Sequence, residues 1–96
     1  MARQRYHRNP KVPLNAGTRL KSRRKELGLS LRDVHLASLE IVANGHNEEF
    51  TISRSRLCAL EGGQAVPNIY RLYSLALIYQ LDLLEMLSWF GINARA

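Results

Sequence analysis

Three stretches of this chain mark helix starts in the same way. In each, an apolar residue precedes a polar cap and a second apolar residue follows five positions after the first: Leu29-Ser30 with Val34, Ile52-Ser53 with Leu57, and Leu81-Asp82 with Met86. The cap side chain can accept an orphan amide of the first turn, while the two apolar residues clasp across it as a hydrophobic staple. In two of the three an acid lies three positions after the cap, Asp33 after Ser30 and Glu85 after Asp82, which supplies the return bond of a capping box. No stretch alternates convincingly as a strand, so the chain is committed to helices.

Five helices account for the pattern. The first runs from near Asn15 to Gly28 with a narrow stripe, Leu20 and Leu27, that has Arg24 on the same face between them. An arginine on a buried stripe needs a partner. A glycine just past a last turn ends helices, which is the reading of Gly28. The second helix, opened by Ser30, should end near Ala43, before the polar, turn-forming run Asn44 to Glu49. The third, about residues 53–62, is closed by Gly62-Gly63. The fourth is opened by Pro67-Asn68 and carries the stripe Ile69, Leu72, Tyr73, Leu75, Ala76 and Tyr79. A short fifth helix runs from Leu83 to about Phe90. The expected organisation is a basic arm over 1–14, one all-α domain over 15–90 and a tail over 91–96, with no internal repeat.

Length and composition narrow the classes further. Ninety-six residues are one domain's worth of chain, with material for one small core. The single cysteine, Cys58, excludes an internal disulfide and any multi-cysteine metal site, which suits a reducing cytosol. It sits beside Leu57 and Leu60 with no histidine at helical spacing, and reads as a semi-buried structural thiol. His7, His35 and His46 fall on the arm, a helix and a loop, where they read as surface or packing residues and not as metal ligands. No glycine loop is placed to cradle phosphate. The expectation is a cytoplasmic protein that is not an enzyme, with no cofactor, no metal, no small-molecule ligand and no membrane association. Apolar runs end far short of the ~20 residues of a membrane span, and the basic N-terminus is not followed by the apolar stretch of a signal peptide.

The charge is more telling than the composition. Residues 1 to 32 carry ten Lys or Arg against Glu26 alone, a net +9, whereas the remainder carries four against seven acids, a net −3. A basic block of this kind follows a polyanion, and no apolar helix face accompanies it to suggest a membrane surface. A solvated basic face is the bland alternative. The third helix adds the composition of a groove reader. Arg54 can reach guanine or phosphate, the hydroxyls of Ser53 and Ser55 can reach phosphate, and the small Ala59 permits close approach.

At this point the chain resembles a family. Gly17-Thr-Arg-Leu-Lys-Ser-Arg-Arg-Lys-Glu-Leu-Gly-Leu-Ser30, then Ser53-x-Ser55-x-Leu57-x-x-Leu60-Glu61-x-Gly63 with Pro67, then Asn68 to Ala76 and Leu81 to Leu87, look like the Cro/cI or Xre-type helix-turn-helix domain of phage repressors and bacterial regulators. The resemblance covers about residues 15 to 88. It implies a five-helix lambda-repressor-like domain that binds double-stranded DNA sequence-specifically, with the third helix in the major groove. Arg54 and Ser55 would lie nearest the bases, Ala59 one turn further, and Ser53 and Arg56 toward phosphate. Arg19, Lys21, Arg23 and Lys25 would line the backbone, and Arg3, Arg5 and Arg8 of the arm would follow the strand or enter a minor groove. The resemblance also implies that Arg24 pairs with Glu61; the alternative is that its stem snorkels and its head meets phosphate.

Two departures stand out. About a dozen extra residues separate Val34 from Ser53, giving an elongated connection between the second and third helices. In addition, Leu31 stands where the family usually has a phosphate-touching glutamine, and His35 stands near a small packing position unless Ala37 takes that place. These departures keep open a second class, a protein-interaction module or an antitoxin with weak or no operator reading. A third class, an RNA-binding or nucleoid-like protein, would use the basic block without Arg54. Finally, the fifth helix and its exit carry more apolar surface than one face of a short helix can bury. That surplus points to a homodimer through Leu84, Leu87, Trp89 and Phe90, the alternative being that Trp89 and Phe90 fold back on the core.

Overall fold

The computed structural model describes residues 16–93. Those residues form five helices and one 3-10 turn: α1 (Ala16–Glu26), α2 (Leu31–Gly45), the turn Glu48–Phe50, α3 (Arg54–Glu61), α4 (Ile69–Tyr79) and α5 (Leu83–Trp89). No strand occurs among the described residues. None of their helices is long and apolar enough to cross a membrane. The arm arginines Arg3, Arg5 and Arg8 lie outside the described residues, as do the first 15 and last three positions generally.

The caps set the helix starts. At Ser30 both halves of the capping box form: Ser30 Oγ accepts from the Asp33 amide at 3.0 Å, and Asp33 accepts from the Ser30 amide at 2.8 Å. That bond from Ser30 holds the Asp33 carboxyl below its ordinary value. Ser53 and Asn68 cap α3 and α4 through the amides of Arg56 and Arg71. At Asp82 the cap bond to the Glu85 amide forms, but the return bond expected from Glu85 does not. At the other end of α1, Gly28 takes φ 71, a conformation that costs glycine little, and the Leu29 amide closes the turn on the Arg24 carbonyl.

The core gathers one row from each helix: Leu20 of α1, Val34 of α2, Leu57 and Leu60 of α3, Leu72, Leu75 and Tyr79 of α4, Met86 of α5, with Ile52 ahead of α3. Helix α1 lies directly on the C-terminal end of α3. A Cβ on Gly17 would overlap the backbone carbonyls of Leu60 and Glu61, so this approach requires glycine.

Four expectations need correction. Helix α2 runs to Gly45, two residues beyond Ala43, and His46 closes it in the left-handed region. On α4, Ile69 and Tyr73 are exposed, and the fully buried Ser74 takes a place in the core that the apolar stripe had not assigned. On α5, Phe90 is buried in the core of the monomer at 9% exposure. Trp89 and Leu87 are half-buried against the same cluster, leaving Leu84 as the exposed member of the expected dimer interface. The exit of α5 thus folds back on its own core because Met86 and Phe90, four apart, share the face turned to α4. Cys58, finally, is exposed and not semi-buried, since Leu57 and Leu60 take the inward face of α3.

The elongated connection is tied down by side chains from two helices. Ser38 of α2 accepts from the Ile52 amide at 2.9 Å and His35 Nδ1 donates to the Ile52 carbonyl at 2.9 Å. From α4, Arg71 Nε donates to the Thr51 carbonyl and Ser74 Oγ to the Phe50 carbonyl, both at 2.8 Å. Phe50 packs edge-on against Tyr70, with ring centroids 5.3 Å apart. Backbone groups that a long loop would leave to water are held here by specific donors and acceptors, so the chain enters α3 in one defined direction.

Candidate nucleic-acid interface

Helix α3 is fixed at both ends. At its C-terminal end Glu61 receives a two-pronged bond from Arg24, Nε to Oε2 at 2.7 Å and NH2 to Oε1 at 3.0 Å. The third nitrogen of the same guanidinium donates to the Leu29 carbonyl at 2.9 Å, which ties in the start of α2. Both side chains are nearly out of solvent, at 10% and 7% exposure, and the bond to Glu61 holds the Arg24 guanidinium above its ordinary value. The Tyr79 phenol lies close by. Burial pushes it far above its ordinary value, the Glu61 charge adds to the shift, and its hydroxyl has no partner among the described residues.

The outer side of α3 carries Arg54, Ser55, Arg56 and Cys58, all exposed, with Ala59 half-buried. Ser53 is half-buried and its hydroxyl is occupied by the cap bond to Arg56, so it has less to offer a phosphate than its position in the sequence implies. Arg54 and Ser55 form a ridge between two grooves. One, of about 720 Å³, is shared with Arg32, His35 and Leu36 of α2. The other, of about 490 Å³, is lined also by Leu31, Cys58, Ala59 and Gln64. Among the described residues, the side chains of Arg32, Arg54 and Arg56 make no hydrogen bond or ion pair, and Arg32 and Arg54 meet across the larger groove. Gln64 is placed by its amide, which bonds to the Ala59 carbonyl at 2.9 Å, and its Nε2 is buried with no partner.

The basic residues of α1 divide differently from the expectation. Arg23 is half-buried and its guanidinium is engaged within the fold. Its Nε donates to the Tyr79 carbonyl at 2.9 Å and NH2 to the Gln80 carbonyl at 3.5 Å, closing the C-terminal end of α4, while NH1 meets Glu26 at 3.2 Å. A cation at the negative end of a helix dipole has a structural use, and that use takes it away from a phosphate. Arg19 also turns toward α5, with its guanidinium 5.8 Å from the Trp89 ring centroid. Lys21 and Lys25 are exposed, and helical spacing sets them on the other flank of buried Leu20 from Arg19 and Arg23. Of the basic residues expected on α1, the structure leaves these two lysines free.

Sequence reasoning passed over Arg32, His35 and Gln64 as members of this face, and singled out Leu31 only as a departure from the family pattern. The spacing Arg32, His35, Leu36 is one helix face and could have been paired with Arg54. Gln64 gave no such sign, because it joins the site only through the turn after α3. No group of residues that could hold a metal ion occurs among the described residues. No family model, no curated protein and no solved structure matches the chain.

Proposed function

We propose that the chain is a Cro/cI-type helix-turn-helix domain that binds double-stranded DNA sequence-specifically as a bacterial or phage transcriptional regulator. It acts by occupancy and not by chemistry. The observation that carries this reading is the ridge of Arg54 and Ser55 on a helix anchored at both ends, flanked by Arg32 and Arg56 with no internal partners. Readers of the major groove need a short, rigidly presented helix whose exposed cations are free to leave water for base edges and phosphates. Arg54 and Ser55 take the base edges, and Arg32, Arg56, Lys21 and Lys25 take the backbone. The arm adds Arg3, Arg5 and Arg8 from outside the described residues. Selection of bound duplexes from a random library tests the reading: enrichment of one motif supports it, and retention of random duplexes without enrichment points to a nonspecific polyanion binder.

A second reading, a protein-interaction module or antitoxin, is favoured by a different observation. An uncharged groove of about 580 Å³ opens between α2 and α4, walled by Ile41, Phe50, Ile69, Tyr70, Tyr73 and Leu77. Four of the six are exposed or carry exposed rings in a region without a neighbouring cation among the lining residues. Exposed apolar surface of this kind marks interfaces. A homodimer belongs to the same question. Sedimentation at micromolar concentration reads it, with and without a two-site duplex whose centres lie about 34 Å apart.

A further inference from the structure

We infer that the uncharged groove between α2 and α4 is where a second copy of this chain docks, two copies meeting about a two-fold axis with the outer row of α4 from each seated against the groove of the other. The inference deepens the second reading above, from which it takes the groove as an interface, and it does not depend on DNA binding. Its basis is that α4 is apolar on two sides. The row Leu72, Leu75, Ala76 and Tyr79 enters the core. A second row, Ile69, Tyr73 and Leu77 at four-residue spacing with Tyr70 beside it, is left at 63%, 46%, 50% and 41% exposure. The one charged residue of α4, Arg71, is engaged within the fold, at 2.8 Å from the Thr51 carbonyl and 3.4 Å from Glu49. A helix that is apolar nearly all round is one that is covered nearly all round.

Two observations choose the occupant. The first is area. At about 150–250 Å² for a large side chain, those four exposures leave roughly 400 Å² on one face. A stable interface takes about 800 Å² from each partner, a little over half of it apolar, so the patch supplies the apolar share of one such interface. Phe50 holds both tyrosine rings, at 5.3 and 5.6 Å between centroids, which leaves little to be ordered on docking. The second observation is charge. The chain carries a net +6, so two copies repel unless they meet where no charge lies. None of the residues lining this groove is charged, and Arg32 and Arg54 line a different one. A partner steered by charge would find nothing to meet here, whereas a two-fold contact sets the same uncharged patch against itself without electrostatic cost.

Sedimentation equilibrium of the full chain, without nucleic acid, tests this. Between about 1 and 200 μM, the weak end for an interface of this size, the chain should pass from its 11.0 kDa monomer to twice that mass. Ile69→Glu and Leu77→Glu should each weaken the pairing by about tenfold or more, because a two-fold contact meets every substitution twice and each would bury a charge. Both positions are exposed, circular dichroism confirms that each variant is folded, and either one suffices if the other is not. Leu84→Glu, at an exposed position of α5, should leave the pairing unchanged. A monomer at every concentration overturns the second copy as occupant and leaves the interaction reading to a foreign chain. A dimer that survives both groove variants overturns the inference and removes this groove as an interface with it. A dimer broken by Leu84→Glu alone places the contact on α5 and overturns the inference as well.

Discussion

The arginines of α1 and those of α2 and α3 look alike in the sequence and differ completely in the structure. Arg23 closes the end of α4, Arg24 is locked to Glu61, and Arg19 turns to Trp89. Arg32, Arg54 and Arg56, in contrast, are exposed and make no hydrogen bond or ion pair among the described residues, and Arg32 and Arg54 line one groove. The count of basic residues therefore overstates the charge that a ligand can meet. Three arginines of α1 meet partners within the fold, whereas three on α2 and α3 make no hydrogen bond or ion pair among the described residues.

The sharpest break of this comparison is at the Arg24–Glu61 pair. Glu61→Ala would strand a nearly buried guanidinium and should destabilise the fold by about 3–5 kcal/mol, whereas Arg24→Met with Glu61→Leu should cost less than the sum of the single changes. Additive effects in thermal melts would mean that the pair is not coupled. Arg23→Ala comes next. It should lower stability by about 1–2 kcal/mol through its lost bonds to the α4 carbonyls and leave the salt dependence of binding unchanged. A fall in the salt slope with stability intact would return Arg23 to the binding set.

Arg54→Ala should do the reverse. Melting should hardly move, while affinity for a preferred duplex drops by about 1–3 kcal/mol and preference relaxes at one base position. Equal losses on preferred and random duplexes would show that Arg54 meets phosphate only. Lys25→Ala should weaken all duplexes alike and reduce the salt slope by about 0.9, the share of one phosphate contact. The smallest effect concerns Asp33. Its carboxyl is held below the ordinary value of 3.8 by the bonds to Ser30. Its contribution to stability is therefore present above that value and is lost as pH falls through the lowered one. Asp33→Asn should flatten that part of the acid-unfolding curve.

The helix starts were legible because capping is local: Ser30, Ser53 and Asp82 each hold an amide within three residues. The inward rows of α1 and α3 were legible for the same reason, since Leu20, Leu57 and Leu60 follow helical period. What periodicity missed depends on partners far along the chain. Ser38 and Ser74 are buried polar residues whose use appears only when residues 50–52 are laid against α2 and α4. The same connection brings Phe50 to Tyr70 and Tyr73, and so leaves Tyr73 outside the core row to which its spacing assigned it. At the candidate site, Arg54 and Ser55 were legible from the third helix alone. The contacts of Arg23 and Arg19 within the fold were not, because their partners Tyr79 and Trp89 lie more than fifty residues away.

The central claim is that the free arginines of α2 and α3, and not the tethered ones of α1, carry binding. The direct measurement is the slope of log affinity against log salt on a library-selected duplex, for the full chain and for the triple change Arg32→Ala, Arg54→Ala, Arg56→Ala. A slope near about −4 to −5 for the wild type, reduced by about 1.8 in the variant through the lost phosphate contacts of Arg32 and Arg56, with the melting transition retained, is the predicted result. A wild-type slope shallower than about −2, or a variant that keeps the wild-type slope, would contradict it.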